Sequence, residues 1–253
     1  MIIKLFLNKI HISKYTYLII ILSCLTGLIK ELIIIGTLVI FHELGHFITS
    51  YIFKWNIKKI TIYPFGGIIS YDEKIDMPLI EELLITISGP LNQLLTFFIL
   101  YILYKLYFIT DNYFNIICNY NYVILIFNLL PIVPLDGSKL LNILLNKIYS
   151  FKNSYLLTIL ISIIFLILFI NYFNNYSYYL IITFLIYNIY NYIRNKDLIF
   201  NKFILERYLY KNNYKKYYKI NNIKKMKRNK KNLIKKNNIY LTEKEYIKKE
   251  YNS

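Results

Sequence analysis

The chain reads as an all-α polytopic membrane protein, with about six transmembrane helices, a small membrane-surface β-hairpin and a basic cytoplasmic tail. Three observations predict this. Hydrophobic residues fill 57% of the 253 positions, more than an ordinary water-soluble domain carries. Apolar runs long enough to cross a bilayer recur along the chain. The cations are segregated: of 31 Lys and Arg, all but Lys30 and Lys105 lie before the first run, between the second and third, between the fourth and fifth, or after the last.

The runs place spans at about 15–29, 32–53, 80–109, 113–133, 153–170 and 177–193. The positive-inside rule then puts both termini and the large loops in the cytoplasm, which requires an even number of crossings. Residues 1–193 form the membrane domain and 194–253 the tail. The tail holds 19 of the 31 cations against five acids. Such a juxtamembrane segment meets anionic lipid headgroups or folds as a small appendage, and no specific nucleic acid is expected. Cys24 and Cys118 lie in apolar segments and read as small fillers rather than a disulfide. Leu22, bulky and two residues before Cys24, argues against a lipoprotein processing site, and no small-x-small site ends the first run.

Chemistry concentrates in the second run, at His42-Glu43-Leu44-Gly45-His46. On a helix the two histidines stand one turn apart on one face and can bind one zinc ion. Glu43 lies beside them and can take a proton from water activated there. It is also the one charged residue of that run, where ionisable groups usually mark function.

A catalytic zinc needs a third protein ligand and an open position. Asp136 is the candidate, in Asn128-Leu-Leu-Pro-Ile-Val-Pro134-Leu-Asp136-Gly137. Pro131 and Pro134 break the helix, and broken backbone at membrane depth belongs where it lines a cavity or is buried in protein. A turn role before Gly137 is the other reading of Asp136. Glu81 and Glu82 are rival ligands, better explained as acids at a helix start. His11 reads as a surface residue.

Residues 59–70, KITIYPFGGIIS, alternate apolar and polar and are punctuated by Pro-Phe-Gly-Gly, the pattern of a hairpin. A strand edge there can hold a substrate in extended form by backbone pairing, which makes Phe65 and Gly66 candidate substrate-binding residues. Ser88-Gly89-Pro90-Leu91-Asn92-Gln93 interrupts the third run, where Gly and Pro permit close helix approach, and Asn92 reads as a packing residue.

Taken together, HELGH, the downstream Asn-x-x-Pro-x-x-Pro-Leu-Asp-Gly, and the intervening Pro-Phe-Gly-Gly and Ser-Gly-Pro-Leu resemble the site-2 protease family of intramembrane zinc metalloproteases. FNLLPIVPLDGSKLL at 127–141 and KFILERYLYKNN at 202–213 extend the likeness over roughly residues 9–213. The resemblance implies one zinc held by His42, His46 and Asp136, Glu43 as general base, and Asn128 and Pro134 near the substrate path. For the sporulation members of the family it further implies a membrane-associated pro-sigma factor as substrate, inhibitory membrane partners, and a place in the mother-cell membrane around the forespore. Those members carry a nucleotide-sensing CBS domain after the last span, and residues 194–253 leave room for a reduced form of it. The alternative function is a non-proteolytic zinc-binding membrane protein or transporter, which needs the metal but not Glu43 as a base.

Overall fold

A computed structural model describes residues 2–63, 66–72, 75–172, 178–210, 214, 216–236 and 239–251. It is mostly helical and divides into two compact units, one of residues 1–73 and 84–130, the other of 74–83 and 131–253.

The first unit opens with α1 (Ile2–Leu7), β1 (Ile10–Ile12) and α2 (Lys14–Thr26). The Ser13 hydroxyl caps α2 by accepting from the Thr16 amide, and Gly27 ends it in the left-handed conformation (φ 76°). Next comes α3 (Ile29–Ile52), which buries Val39, His42, Glu43, His46, Phe47 and Ser50 at three- and four-residue spacing. Its Ile33, Phe41, Ile48 and Ile52 face outward, as suits lipid.

The expected hairpin forms from β2 (Ile57–Tyr63) and β3 (Gly66–Tyr71), paired antiparallel with Ile62 opposite Gly67. Pairing of β1 parallel to β2 was not legible in a three-residue strand, and it makes β3 an edge. Phe6, Phe47, Ile57 and Ile60 form the core under this sheet, with Phe6 meeting Phe47 edge-on at 5.1 Å. The unit is completed by α4 (Leu79–Lys105), from Leu84 onward, and by α5 (Asp111–Leu129). An added Cβ on Gly45 would overlap the Ser88 carbonyl and Asn92 Cβ, so the small residues allow α3 and α4 to approach closely.

In the second unit, α6 (Asp136–Ile148) follows the proline break as a separate amphipathic helix between the expected fourth and fifth spans. Then come α7 (Phe151–Tyr172), α8 (Tyr179–Arg194) and α9 (Lys196–Leu209). The tail continues as β4 (Tyr217–Ile220), a 3₁₀ turn at Ile223–Lys225, β5 (Lys231–Lys236), β6 (Ile239–Thr242) and α10 (Glu243–Tyr251). Its sheet pairs β4 parallel and β6 antiparallel to the central β5. The lysines of KNLIKK hid β5, which buries Asn232 and Ile234 on alternate positions. Phe151, Phe200, Phe203, Ile220, Met226 and Ile234 build the core.

Beside that core, buried Arg207 pairs with Asp76 (Nε to Oδ2, 2.9 Å) and donates to the carbonyls of Lys227 and Lys230. Glu206 accepts from the amides of Ile75 and Asp76, and burial pushes its carboxyl above the ordinary range. Arg228, also buried, pairs with Glu82 at 2.8 Å and donates to the Met77 carbonyl.

Among the described residues, three helices, α3, α4 and α7, are long and apolar enough to cross a membrane. Of the rest, α2 is apolar but has 13 residues, α8 has 16, and the 19-residue α5 carries Asn115, Asn119 and Asn121.

Candidate metal centre

The middle of α3 places His42 and His46 with their Nε2 atoms 3.1 Å apart. Each ring is held from behind. His46 Nδ1 lies 2.7 Å from the Ile85 carbonyl, which can only accept, so Nδ1 carries the hydrogen. His42 Nδ1 lies 3.0 Å from Gln93 Oε1. The orientation of that amide is set on its other side, where Gln93 Nε2 donates to the Asn121 carbonyl at 2.9 Å. Both Nδ1 hydrogens are therefore committed, which leaves the two Nε2 atoms facing each other, and these are the atoms that carry the lone pairs in a metal-binding imidazole. Opposed lone pairs in a buried site repel, and a cation between them turns that repulsion into binding.

Asp136 is the first residue of α6, buried, with Lys139 Nζ 2.8 Å from its Oδ1. Like His42 and His46, Asp136 offers a buried ligand atom. Two imidazole nitrogens and one carboxylate, with a position left over, is the donor set of a catalytic zinc. The space around the rings fits as well: an added Cβ on Gly89 would overlap Nε2 of both histidines, so only glycine lets α4 pass this close. The rival Glu82 is turned to Arg228 instead. His11 sits exposed on β1.

Glu43 is buried beside the histidines and accepts from the Gly67 amide of β3 at 3.0 Å. A Cβ on Gly67 would overlap the Glu43 carboxylate, so the strand backbone rests directly on this group. Among the residues expected on a substrate path, Asn128 and Gly66 come together, the Asn128 Oδ1 lying 3.5 Å from where a Gly66 Cβ would stand. Asn128 is buried. Pro134 is half-buried just before α6. Phe65 lies outside the described residues.

Sequence reasoning missed Gln93, Gly67 and the Ile85 carbonyl. Gln93 had a signal, being an uncharged polar residue deep in an apolar run, but its neighbour Asn92 carries the same signal. Asn92 does pack, donating to the Phe41 carbonyl of α3. The other two act through backbone atoms, which composition cannot display.

Residues 30–110 match the profile of peptidase family M50. The chain is 35% identical to stage IV sporulation protein FB of Bacillus subtilis over 209 residues, covering 81% of this chain and 73% of that one. It is 30% identical over 154 residues to a zinc metalloprotease of Methanocaldococcus jannaschii, covering 58% of this chain and 44% of the relative. Its fold matches the solved site-2 protease of Methanocaldococcus jannaschii with a TM-score of 0.57 at 27% identity, over 72% of this chain and 90% of that one. The chain belongs to peptidase family M50, the site-2 protease family, and is a membrane metalloprotease with zinc as its cofactor.

Proposed function

We propose that the chain cleaves a membrane-associated pro-sigma factor during sporulation, with His42, His46 and Asp136 holding the zinc and Glu43 as general base. The observation that carries the site assignment is the opposed pair of Nε2 atoms with Glu43 buried beside them. The substrate class rests on the likeness to the sporulation relative. When bound, zinc supplies a Lewis acid that acidifies water and polarises the scissile carbonyl. Glu43 takes the proton of the attacking water and returns it to the leaving nitrogen. The Asn128 side-chain amide donates to the oxygen of the substrate carbonyl as it gains charge. The edge of β3 offers backbone groups that hold the substrate extended, since a helix must unwind before its peptide bonds can be attacked.

In this reading the chain crosses the membrane six times with both termini in the cytoplasm, in the mother-cell membrane around the forespore. Residues 1–193 make the protease domain. Residues 194–253 make a reduced CBS-like appendage whose outer lysines meet lipid headgroups. Inhibitory membrane partners regulate it, as the resemblance implies.

Co-expression with a membrane-associated pro-sigma factor tests the proposal. The intact chain is expected to release the shortened factor. Glu43→Gln is expected to lower cleavage by about 10²–10⁴-fold while zinc content stays the same. Undiminished cleavage by E43Q removes Glu43 from the mechanism. An intact chain that leaves the pro-sigma factor whole refutes the substrate.

A further inference from the structure

Between α5 and α6 the backbone leaves the helix at Leu130 and re-enters it at Asp136. Pro131 and Pro134 have no N–H, and the break strands other backbone groups at a depth where water is scarce. Two of them find a partner on α7. Ser162 Oγ accepts from the Val133 amide at 3.2 Å and donates to the Pro131 carbonyl at 3.0 Å. Ser162 is fully buried, as is Ile132 between the two tethered residues. The remainder of the segment is tied locally: the Leu135 amide donates to the Ile132 carbonyl (2.8 Å), and the Ser138 hydroxyl to the Leu135 carbonyl (2.7 Å). Asp136 is the next residue.

A serine inside a helix commonly donates to a carbonyl three or four residues back. Ser50, Thr37 and Thr158 all do so here. Ser162 instead sends its hydrogen out of its own helix to the break. One hydroxyl acts as donor and acceptor at once, a task that threonine can perform and that valine or alanine cannot.

We propose that Ser162 is a positioning residue for Asp136, its hydroxyl pinning Pro131 and Val133 so that the carboxylate is presented in one place. The proposal rests on the reading of Asp136 as a zinc ligand. Ser162→Thr and Ser162→Val add nearly the same volume and differ in the hydroxyl, which separates positioning from packing.

The experiment uses purified full-length protein stripped of metal. Zinc affinity is measured by chelator competition, and site geometry by the visible absorption of the cobalt-substituted protein. S162T is expected to bind zinc within about twofold of the parent, with the parent's cobalt spectrum. S162V is expected to bind about tenfold or more weakly with a changed spectrum, as for groups that orient metal ligands. Equal affinity and equal spectra for S162T and S162V overturn the proposal, whatever their melting temperatures. Asp136→Asn is measured alongside. Unchanged zinc binding in D136N refutes the ligand reading itself, whereas weakened binding in D136N with an intact S162V refutes the role of Ser162 alone. Where S162V does not accumulate, Ser162→Ala against S162T is read in the same way.

Discussion

At His42 the choice of which nitrogen faces the candidate metal site is made by a single amide. Gln93 Oε1 holds the Nδ1 hydrogen, and Asn121 holds Gln93. Gln93→Leu keeps the bulk and removes the acceptor. Its expected effect is a 10- to 100-fold loss of zinc affinity, the usual range for such outer partners, with the protein still folded. Chelator competition on the purified chain checks this, and parental affinity would show that the tautomer is set elsewhere. The shared face of His42 and His46 could be read from the sequence because it follows from helical periodicity alone. Gln93 could not be paired with His42 in that way, since the two are brought together only by the packing of α3 on α4. Gly67 illustrates the opposite limit: its contribution is an amide hydrogen, which every residue but proline has, and only the register of β3 aims it at Glu43.

Among the elements, α9 couples folding to pH. Burial raises the Glu206 carboxyl above its ordinary value of 4.5, although the amides of Ile75 and Asp76 and the charge of Lys202 oppose the shift. The unfolded chain therefore gives up this proton first. From the ordinary carboxyl range upward the native state binds more protons than the unfolded one, so this group's contribution to stability falls as pH rises. It levels off once the native carboxyl has ionised. Glu206→Gln removes that dependence. Thermal unfolding of the full chain between about pH 5 and pH 8 is expected to show a shallower decline for E206Q than for the parent, and identical slopes would refute the assignment. The hairpin of β2 and β3 was visible in the sequence because alternation and the Pro-Phe-Gly-Gly punctuation are local signals. The tail sheet was not, because β5 interleaves its buried Asn232 and Ile234 with lysines that read as a solvated run.

For the whole molecule, the apolar runs were legible to within a few residues: 80–109 was expected where α4 covers Leu79–Lys105, and 153–170 where α7 covers Phe151–Tyr172. The proline break was legible too, but the 13-residue α6 was not, being too short to stand out beside the membrane runs. The proposed topology has both ends in the cytoplasm, so a green fluorescent protein fused after Ser253 is expected to fluoresce. Alkaline phosphatase fused there is expected to be inactive, and fused near residue 110 active. The reverse pattern would invert the orientation. The formal charge of the tail also overstates what a bilayer feels. Arg207 and Arg228 are sealed from water and matched by Asp76 and Glu82, acids supplied from outside the tail. Two cations thus serve internal cohesion, and attachment of residues 194–253 to negatively charged vesicles should weaken with added salt less steeply than a tally of lysines and arginines would suggest.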